Sequence, residues 1–283
     1  MRNRLLLFLL ATVAASAAPS RIVSTTPSIT EILFALGLGD RVVGVTNYCR
    51  YPAEAQKLPR IGTYIQPNLE AIAALKPDLV LIQKNPIRLA EQLQRIGLNV
   101  VEIEYDSVPG TFAAIERMAE ATGAAERGRK LSASLRADLD HIRQRSAKLP
   151  RRSMIFVVGR TPGTIEGIVA VGRASYLNDL IQIAGGVNAF AEATGAYPKI
   201  TLEQLVARNP EVIVDMGDMT DTVGVTEEHK RSVVALWNRM PVLRAVRGKR
   251  VFAVAEDYYV VPGPRMIDAA RSFARFLHPE AGF

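Results

Sequence analysis

Tyrosines are the side chains of this sequence best suited to contact a ligand. Six of the eight lie in predicted loops, most of which leave the carboxyl ends of predicted strands. A tyrosine offers a flat apolar ring and one hydroxyl at a low cost in entropy, so several around one cleft suit a bulky, partly polar ligand. Any single ring could instead pack beneath its own loop. The six are Tyr48, Tyr51, Tyr64, Tyr197, Tyr258 and Tyr259.

Two charged residues that follow predicted strands are further candidates for ligand contact. Asp257 stands beside Tyr258 after the strand predicted over 250–254, where it could accept a hydrogen bond from a ligand amide or balance a cation. Arg160 follows the strand predicted over 154–158 and could hold a ligand carboxylate or phosphate. The alternative for both is an ordinary loop residue.

An internal repeat relates the two halves of the chain. An offset of 133 residues carries Gly62-Thr63-Tyr64 onto Gly195-Ala196-Tyr197 and Glu70 onto Glu203. Each glutamate falls in the first turn of a predicted helix, where an acid is stabilised by the helix dipole by about 0.3–1 kcal/mol. The duplication also allows a second interpretation, in which one carboxylate on each half docks a partner with matching arginines.

The elements that position these residues alternate between strands and helices, which predicts an α/β fold with parallel sheets covered on both faces. Residues 125–149 read as one long helix that ends before Pro150. The sequence therefore predicts two α/β lobes, over 19–124 and 150–283, joined by this helix. Ligands of open α/β sheets bind at the carboxyl ends of the strands, so we expect the site in the cleft between the lobes.

Residues 1–18 have the pattern of a signal peptide. Arg2 and Arg4 precede an apolar run, and small residues follow, which predicts cleavage near Ala17 or Ala18. The run is short for a membrane span, although an uncleaved anchor is the alternative. No cysteine follows it, so lipid attachment is not expected. The sequence predicts an exported periplasmic protein that is not inserted in the membrane after cleavage.

Composition and charge exclude several classes of protein. The chain has 283 residues, of which 48% are hydrophobic and 22% charged, which is ordinary for a globular protein. Most of the net charge of +7 comes from residues 126–152, which hold nine Lys/Arg, three acids and no aromatic residue. Without interleaved aromatics, this segment indicates a solvated helix face and not a nucleic-acid groove.

Motifs for catalysis or for a metal site are absent from the sequence. It has no P-loop, no G-x-S-x-G elbow, and no histidine placed to activate a nucleophile. One cysteine, Cys49, and three scattered histidines argue against a metal site. We therefore expect no enzyme, no cofactor and no metal. An exported enzyme that uses Cys49 in the same cleft is the alternative from another class.

Short motifs are spread along the chain after the signal segment. They are Pro27-Ser28-Ile29-Thr30-Glu31, Gly44-Val45-Thr46-Asn47-Tyr48, Tyr51-Pro52, Gly62-Thr63-Tyr64, Asn68-Leu69-Glu70, Leu75-Lys76-Pro77-Asp78-Leu79-Val80, Gly185-Gly186-Val187-Asn188, Tyr197-Pro198, Thr201-Leu202-Glu203-Gln204-Leu205 and Pro264-Arg265. Together these motifs resemble the helical-backbone substrate-binding proteins of ABC importers, the cobalamin and ferric-siderophore class. The resemblance covers nearly the whole chain after the signal segment and is strongest to the cobalamin binders.

The resemblance implies a function as well as a fold. It implies a monomeric carrier that holds a corrinoid in a shallow cleft, with Tyr64, Tyr197 and Asp257 at ligand-contact positions, and that delivers it to an inner-membrane permease. It also implies that Glu70 and Glu203 dock onto arginines of that permease. Cobalamin binders carry tryptophan where this chain has Tyr64 and Tyr197, so haem, another corrinoid or a ferric siderophore are alternative ligands. A ligand-sensing module that signals to a receptor is a further alternative.

Overall fold

The first half of the chain folds around a four-stranded parallel sheet. The computed structural model describes residues 18–84, 87–217 and 224–283. The strands of the first sheet are β1 (Ile22–Ser24), β2 (Val42–Val45), β3 (Leu79–Gln83) and β4 (Val100–Ile103). Their spatial order is β2-β1-β3-β4, and every neighbouring pair is parallel. The helices of this half are α1 (Pro27–Ala35), α2 (Leu69–Ala74), α3 (Leu89–Arg95) and α4 (Val108–Ala121).

A single helix, α5 (Ala125–Ser146), leads from the first half to the second. It ends three residues before the predicted end of the linking segment, and at about 1.5 Å per residue it is about 33 Å long. Leu135, Leu139 and Ile142 recur on one face and are buried. The helix is therefore continuous, amphipathic and packed along its length, as its periodicity predicts.

The second half contains a six-stranded mixed sheet. Its strands are β5 (Arg152–Gly159), β6 (Ile168–Ala170), β7 (Gly186–Asn188), β8 (Lys199–Ile200), β9 (Val212–Asp215) and β10 (Val251–Ala253). The order is β10-β9-β5-β6-β8, with β7 also paired to β5. Strands β7 and β9 pair with β5 in parallel, and β10 pairs with β9 in parallel. Strands β6 and β8 are antiparallel additions that the sequence did not predict, with β6 paired to β5 and β8 paired to β6. The helices are α6 (Tyr176–Ile183), α7 (Leu202–Arg208), α8 (Glu227–Trp237), α9 (Arg244–Arg247) and α10 (Met266–Leu277).

The two sheets share one hydrophobic core. The largest cluster of buried residues includes Ile22 and Leu81 of the first sheet, Leu139 of α5, and Phe156 and Val214 of the second sheet. Two smaller clusters cover the opposite faces, one in each half. Both halves therefore pack against α5 in one continuous core. This packing fixes how their strand ends face each other.

The repeat found in the sequence is present in the structure. Helices α2 and α7 both begin after a capping side chain, since Asn68 accepts a hydrogen bond from the amide of Ala71 and Thr201 accepts one from Gln204. Each cap satisfies an amide that the first turn of a helix leaves without a partner. Glu70 and Glu203 occupy the second position of their helices, and both are exposed.

Helix α4 lies in a segment to which the sequence analysis assigned no element. The Val108-Pro109-Gly110 start reads as a turn, but proline is tolerated in the first turn of a helix. Ser107 caps the helix by accepting a hydrogen bond from the amide of Gly110 at 3.0 Å.

None of the described helices is long and apolar enough to cross a membrane. The predicted signal segment lies almost wholly outside the described residues.

Candidate functional site

A cavity of about 480 Å³ opens between the two halves, which we call the tyrosine cavity. The first half lines it from the strand ends, with Gln83 as the last residue of β3 and with Tyr105 and Asp106 after β4. The second half contributes the loops that carry Ser175 and Tyr197. Its volume lies within the 300–1,000 Å³ that is typical of small-molecule sites. The remaining lining residues are Thr26, Pro27, Ser28, Tyr64, Ala174, Tyr176, Ala196, Val260, Val261 and Pro262.

The two tyrosines related by the repeat both line this cavity, one from each half. The Tyr64 hydroxyl donates to the carbonyl of Lys84 at 3.3 Å, and the Tyr197 side chain is 45% exposed. Burial raises the pKa of each phenol, and the Asp106 carboxylate raises both further, although a hydrogen bond with Ser175 opposes the shift at Tyr197. Both phenols are therefore protonated at neutral pH.

Two more tyrosines line the cavity, and the sequence analysis missed both because they lie outside its predicted loops. The Tyr105 hydroxyl donates to Gln83 at 2.8 Å and lies 2.8 Å from the hydroxyl of Thr26. The Tyr176 hydroxyl donates to the carbonyl of Tyr259 at 2.6 Å. Burial raises the pKa of both phenols. The position of Tyr105, two residues beyond the end of β4, was the available sequence signal.

A second cavity of about 700 Å³ also lies between the halves, which we call the arginine cavity. The first half contributes Arg50 and Arg60, and the second contributes Lys230 and the predicted site residues Asp257 and Tyr258. The Arg60 guanidinium donates to three backbone carbonyls, and Lys230 pairs with Glu256 at 3.1 Å. The other lining residues are Asn47, Gln56, Val225, Ala255, Glu256 and Arg265.

An ion-pair network crosses from one half to the other beside the arginine cavity. Arg265, just before α10, pairs with the buried carboxylate of Glu31 on α1 and with Asp257 at 2.8 Å. Burial raises the pKa of Glu31, and the hydrogen bonds from Arg265 oppose this rise. The carboxylates of Glu31 and Asp257 raise the pKa of Arg265. The guanidinium also lies 4.1 Å from the ring centroid of Tyr51, in cation–π geometry.

Tyr48 and Tyr51 lie in the loop after β2, and both are unusually exposed. Their side chains are 57% and 48% accessible to solvent. Exposed aromatic rings at the edge of a cleft provide apolar area that a bulky ligand can cover. Neither ring is among the residues that line the tyrosine cavity, so their contact with a ligand stays a prediction.

Arg160, a predicted site residue, lies away from the cleft. Its side chain is 4% exposed, and its Nε atom donates to the fully buried carboxylate of Asp215 at 2.8 Å. Trp237 donates to the same carboxylate oxygen. Arg160 lines a separate cavity of about 300 Å³ whose described walls come from the second half alone. The sequence correctly placed Arg160 after a strand. It could not show that Arg160 pairs with Asp215 in the interior of the second half.

Cys49 is not arranged as a nucleophile. It is fully buried, and the hydroxyls of Thr30 and Thr46 lie 3.1 and 3.2 Å from its sulfur. Burial raises the pKa of the Cys49 thiol, and the thiolate is the reactive form. Within the described ranges, no group of three or more His, Cys, Asp or Glu side chains could hold a metal ion.

The chain forms two α/β halves that pack against one helix, α5, with an aromatic cavity between their strand ends. This arrangement defines a two-lobed ligand-binding protein. The comparison with known families agrees with that class. The chain belongs to the periplasmic binding protein family, whose model matches residues 22–258.

Relatives of the chain span almost its whole length. A vitamin B12-binding protein of Photorhabdus laumondii is 30% identical over 264 residues, covering 93% of this chain and 89% of the relative. An uncharacterized ABC transporter substrate-binding lipoprotein of Bacillus subtilis is 32% identical over 270 residues, covering 93% of this chain and 81% of the relative.

Solved structures share the fold. The periplasmic vitamin B12 binding protein of Vibrio cholerae matches with a TM-score of 0.77 at 26% identity, covering 94% of this chain and 99% of that one. A periplasmic heme-binding protein of Roseiflexus sp. RS-1 matches with a TM-score of 0.77 at 27% identity, covering 93% and 99%. The same fold therefore occurs in proteins named for two different ligands, vitamin B12 and heme.

Proposed function

We propose that this protein is the substrate-binding component of an ABC importer and that it binds cobalamin or a related corrinoid between its two halves. The observation that carries the proposal is the pair Tyr64 and Tyr197, which reach one cavity from opposite halves. Flat aromatic rings on both sides suit a large, flat, partly apolar ligand. The protein holds this ligand and makes or breaks no bond in it.

The relatives support a corrinoid as the ligand. A protein that is 30% identical over most of both chains carries the name vitamin B12-binding protein, and so does the Vibrio cholerae structure with the same fold. Tyr48, Tyr51, Asp257 and Tyr258 are further proposed ligand contacts. Asp257 and Tyr258 line the arginine cavity, and Tyr51 lies against Arg265, which also lines it.

Haem is the second candidate, because a heme-binding protein shares the fold and because tyrosine oxygen is a good ligand for ferric iron. We place a corrinoid ahead of haem and of ferric siderophores, because relatives that are 28–30% identical over most of this chain carry the name vitamin B12-binding protein.

Export to the periplasm and docking to a permease complete the proposal. Residues 1–18 would direct export and be removed, and the carrier would then act as a monomer beside the inner membrane. Glu70 and Glu203 would dock onto arginines of the permease. Both side chains are exposed at the start of repeat-related helices, one on each half, so both are accessible to a flat partner surface.

Native mass spectrometry of the protein purified from its own host tests the ligand class. We expect a complex with one retained corrinoid, identified by its mass. Titration calorimetry with cyanocobalamin, haemin and a ferric chelate then ranks the candidates. Tighter binding of haemin or the chelate than of cyanocobalamin would contradict the corrinoid proposal, and turnover of a bound molecule would favour an enzyme.

A further inference from the structure

A single charged side chain faces the tyrosine cavity among the described residues that line it. This is Asp106, which follows β4 and Tyr105 and is exposed to solvent at the cavity wall. Its carboxylate acts on the phenols of both Tyr64 and Tyr197, so it lies within electrostatic reach of both halves of the site. A ligand held between the two rings would therefore present an edge to Asp106.

The arginine cavity has the opposite character. Arg50 and Arg60 line it from the first half, and the Arg60 guanidinium donates to three backbone carbonyls. Lys230 and Arg265 line it from the second half together with their acidic partners. Among the described lining residues, the tyrosine cavity therefore carries one acid, whereas the arginine cavity carries four basic side chains and two acids.

A carboxylate at a ligand edge has a clear preference for what it meets. It accepts hydrogen bonds from amide N–H groups, and it repels another carboxylate. A ligand with acids on one edge can turn that edge toward the arginine cavity. A ring that carries acids on every edge cannot avoid Asp106 in any orientation.

We propose that Asp106 is a specificity-determining residue that favours ring ligands edged with carboxamides over ring ligands edged with carboxylates. The inference rests on the proposed function and deepens it, because it names the chemical feature of the ligand that the cavity selects. It applies at the cavity wall formed by Asp106, the one formally charged side chain among the described residues that line the tyrosine cavity.

A matched pair of ligands isolates this effect. Dicyanocobinamide carries carboxamides around its corrin ring, and dicyanocobyrinic acid carries carboxylates around the same ring. We expect the wild-type protein to bind the amide form more tightly, as measured by titration calorimetry at neutral pH and low salt. Asp106→Asn keeps the shape of the side chain and removes its charge, so it should reduce this preference about five- to tenfold.

Glu102→Gln is the matched control, because it removes one acid from the same strand region outside the tyrosine cavity. It should leave the preference unchanged, and both variants should unfold at the wild-type temperature. A preference that Asp106→Asn leaves unchanged, or that Glu102→Gln reduces equally, would overturn the role of Asp106 alone. A wild-type protein that binds neither corrinoid would overturn the proposed function and this inference with it.

Discussion

Glu31 and Arg265 lie 234 residues apart in sequence, yet they form a two-pronged ion pair between α1 and the segment before α10. The carboxylate of Glu31 is buried, and the guanidinium of Arg265 is 15% exposed. Arg265 also pairs with Asp257 and lies over the ring of Tyr51. One guanidinium therefore links the two halves at the wall of the arginine cavity.

We expect Glu31→Gln to destabilise the protein. The change leaves the partly buried charge of Arg265 with Asp257 as its remaining carboxylate partner. A fully buried pair that loses one partner costs about 3–5 kcal/mol, and we expect about 2–3 kcal/mol here because Asp257 remains. Chemical denaturation measures this as a lower free energy of unfolding.

Glu280→Gln is the control for that change. Glu280 also pairs with an arginine, Arg152, but its side chain is 51% exposed. Exposed pairs contribute little, so the free energy of unfolding should stay close to that of the wild type. Equal losses from Glu31→Gln and Glu280→Gln would contradict a special role for the pair between the halves.

Closure of the cleft on ligand binding should be small. The connection through α5 is a continuous helix, and bending it costs more than flexing a loop hinge. Asp179 on α6 also accepts a hydrogen bond at 3.0 Å from the amide of Val108, at the start of α4, which ties the halves on a second side. Small-angle scattering should give the same radius of gyration with and without cyanocobalamin, and a clear compaction would refute this expectation.

Docking to the permease should depend on Glu70 and Glu203 together. The double change to alanine should leave the affinity for cyanocobalamin unchanged, because neither residue lines the two cavities. It should abolish uptake of the ligand by host cells that carry the variant as their sole copy, since two charge contacts to the permease are removed.

A matched acid elsewhere controls for helix effects in that experiment. Glu228 occupies the second position of α8 after the capping residue Thr226, as Glu70 and Glu203 do after their own caps, but it is not part of the repeat. Glu228→Ala should therefore keep both affinity and uptake. Normal uptake by the double variant of Glu70 and Glu203 would disprove the docking role.

Acid should destabilise the protein through His278. The ring is fully buried, neither nitrogen has a hydrogen-bond partner among the described residues, and burial followed by the charge of Arg152 lowers its pKa below 6.5. The unfolded chain therefore binds this proton more readily than the folded one. The stability that results is fully present above about pH 6.5 and is lost as the pH falls below that value.

His278→Gln removes the titrating group, so the loss of stability between pH 7 and pH 5 should be smaller than in the wild type. The charged groups that act on the ring besides Arg152 are Glu280 and Arg250, and the variant retains both. His141→Gln, on the exposed face of α5, should keep the wild-type dependence. Identical pH profiles for His278→Gln and the wild type would contradict the prediction.

Local sequence signals predicted most of the elements, because strands and helices leave their periodicity in the chain. The start of α5 coincides with the prediction, strands β5 and β10 fall where strands were predicted over 154–158 and 250–254, and the repeat-related Tyr64 and Tyr197 line one cavity. Helix α4 was missed because its Pro-Gly start resembles a turn. Strands β6 and β8 were missed because short antiparallel additions carry little pattern of their own.

Long-range contacts were beyond the reach of sequence reasoning. Glu31 and Arg265 both stood in motifs that indicated the family, but nothing in either motif shows that the two residues meet. Arg160 pairs with Asp215, which lies 55 residues away along the chain, and this contact holds Arg160 in the interior of the second half. The packing of distant segments therefore decides which predicted site residues reach the cleft.

Calorimetric titration of cyanocobalamin into the wild-type protein and into Tyr64→Ala, Tyr197→Ala and the matching phenylalanine variants tests the central proposal most directly. We predict one ligand bound per chain, a loss of about tenfold or more in affinity for each alanine variant, and near-normal binding by the phenylalanine variants, because the aromatic face supplies the contact. Absence of binding by the wild type, or equal affinity in both alanine variants and the wild type, would contradict it.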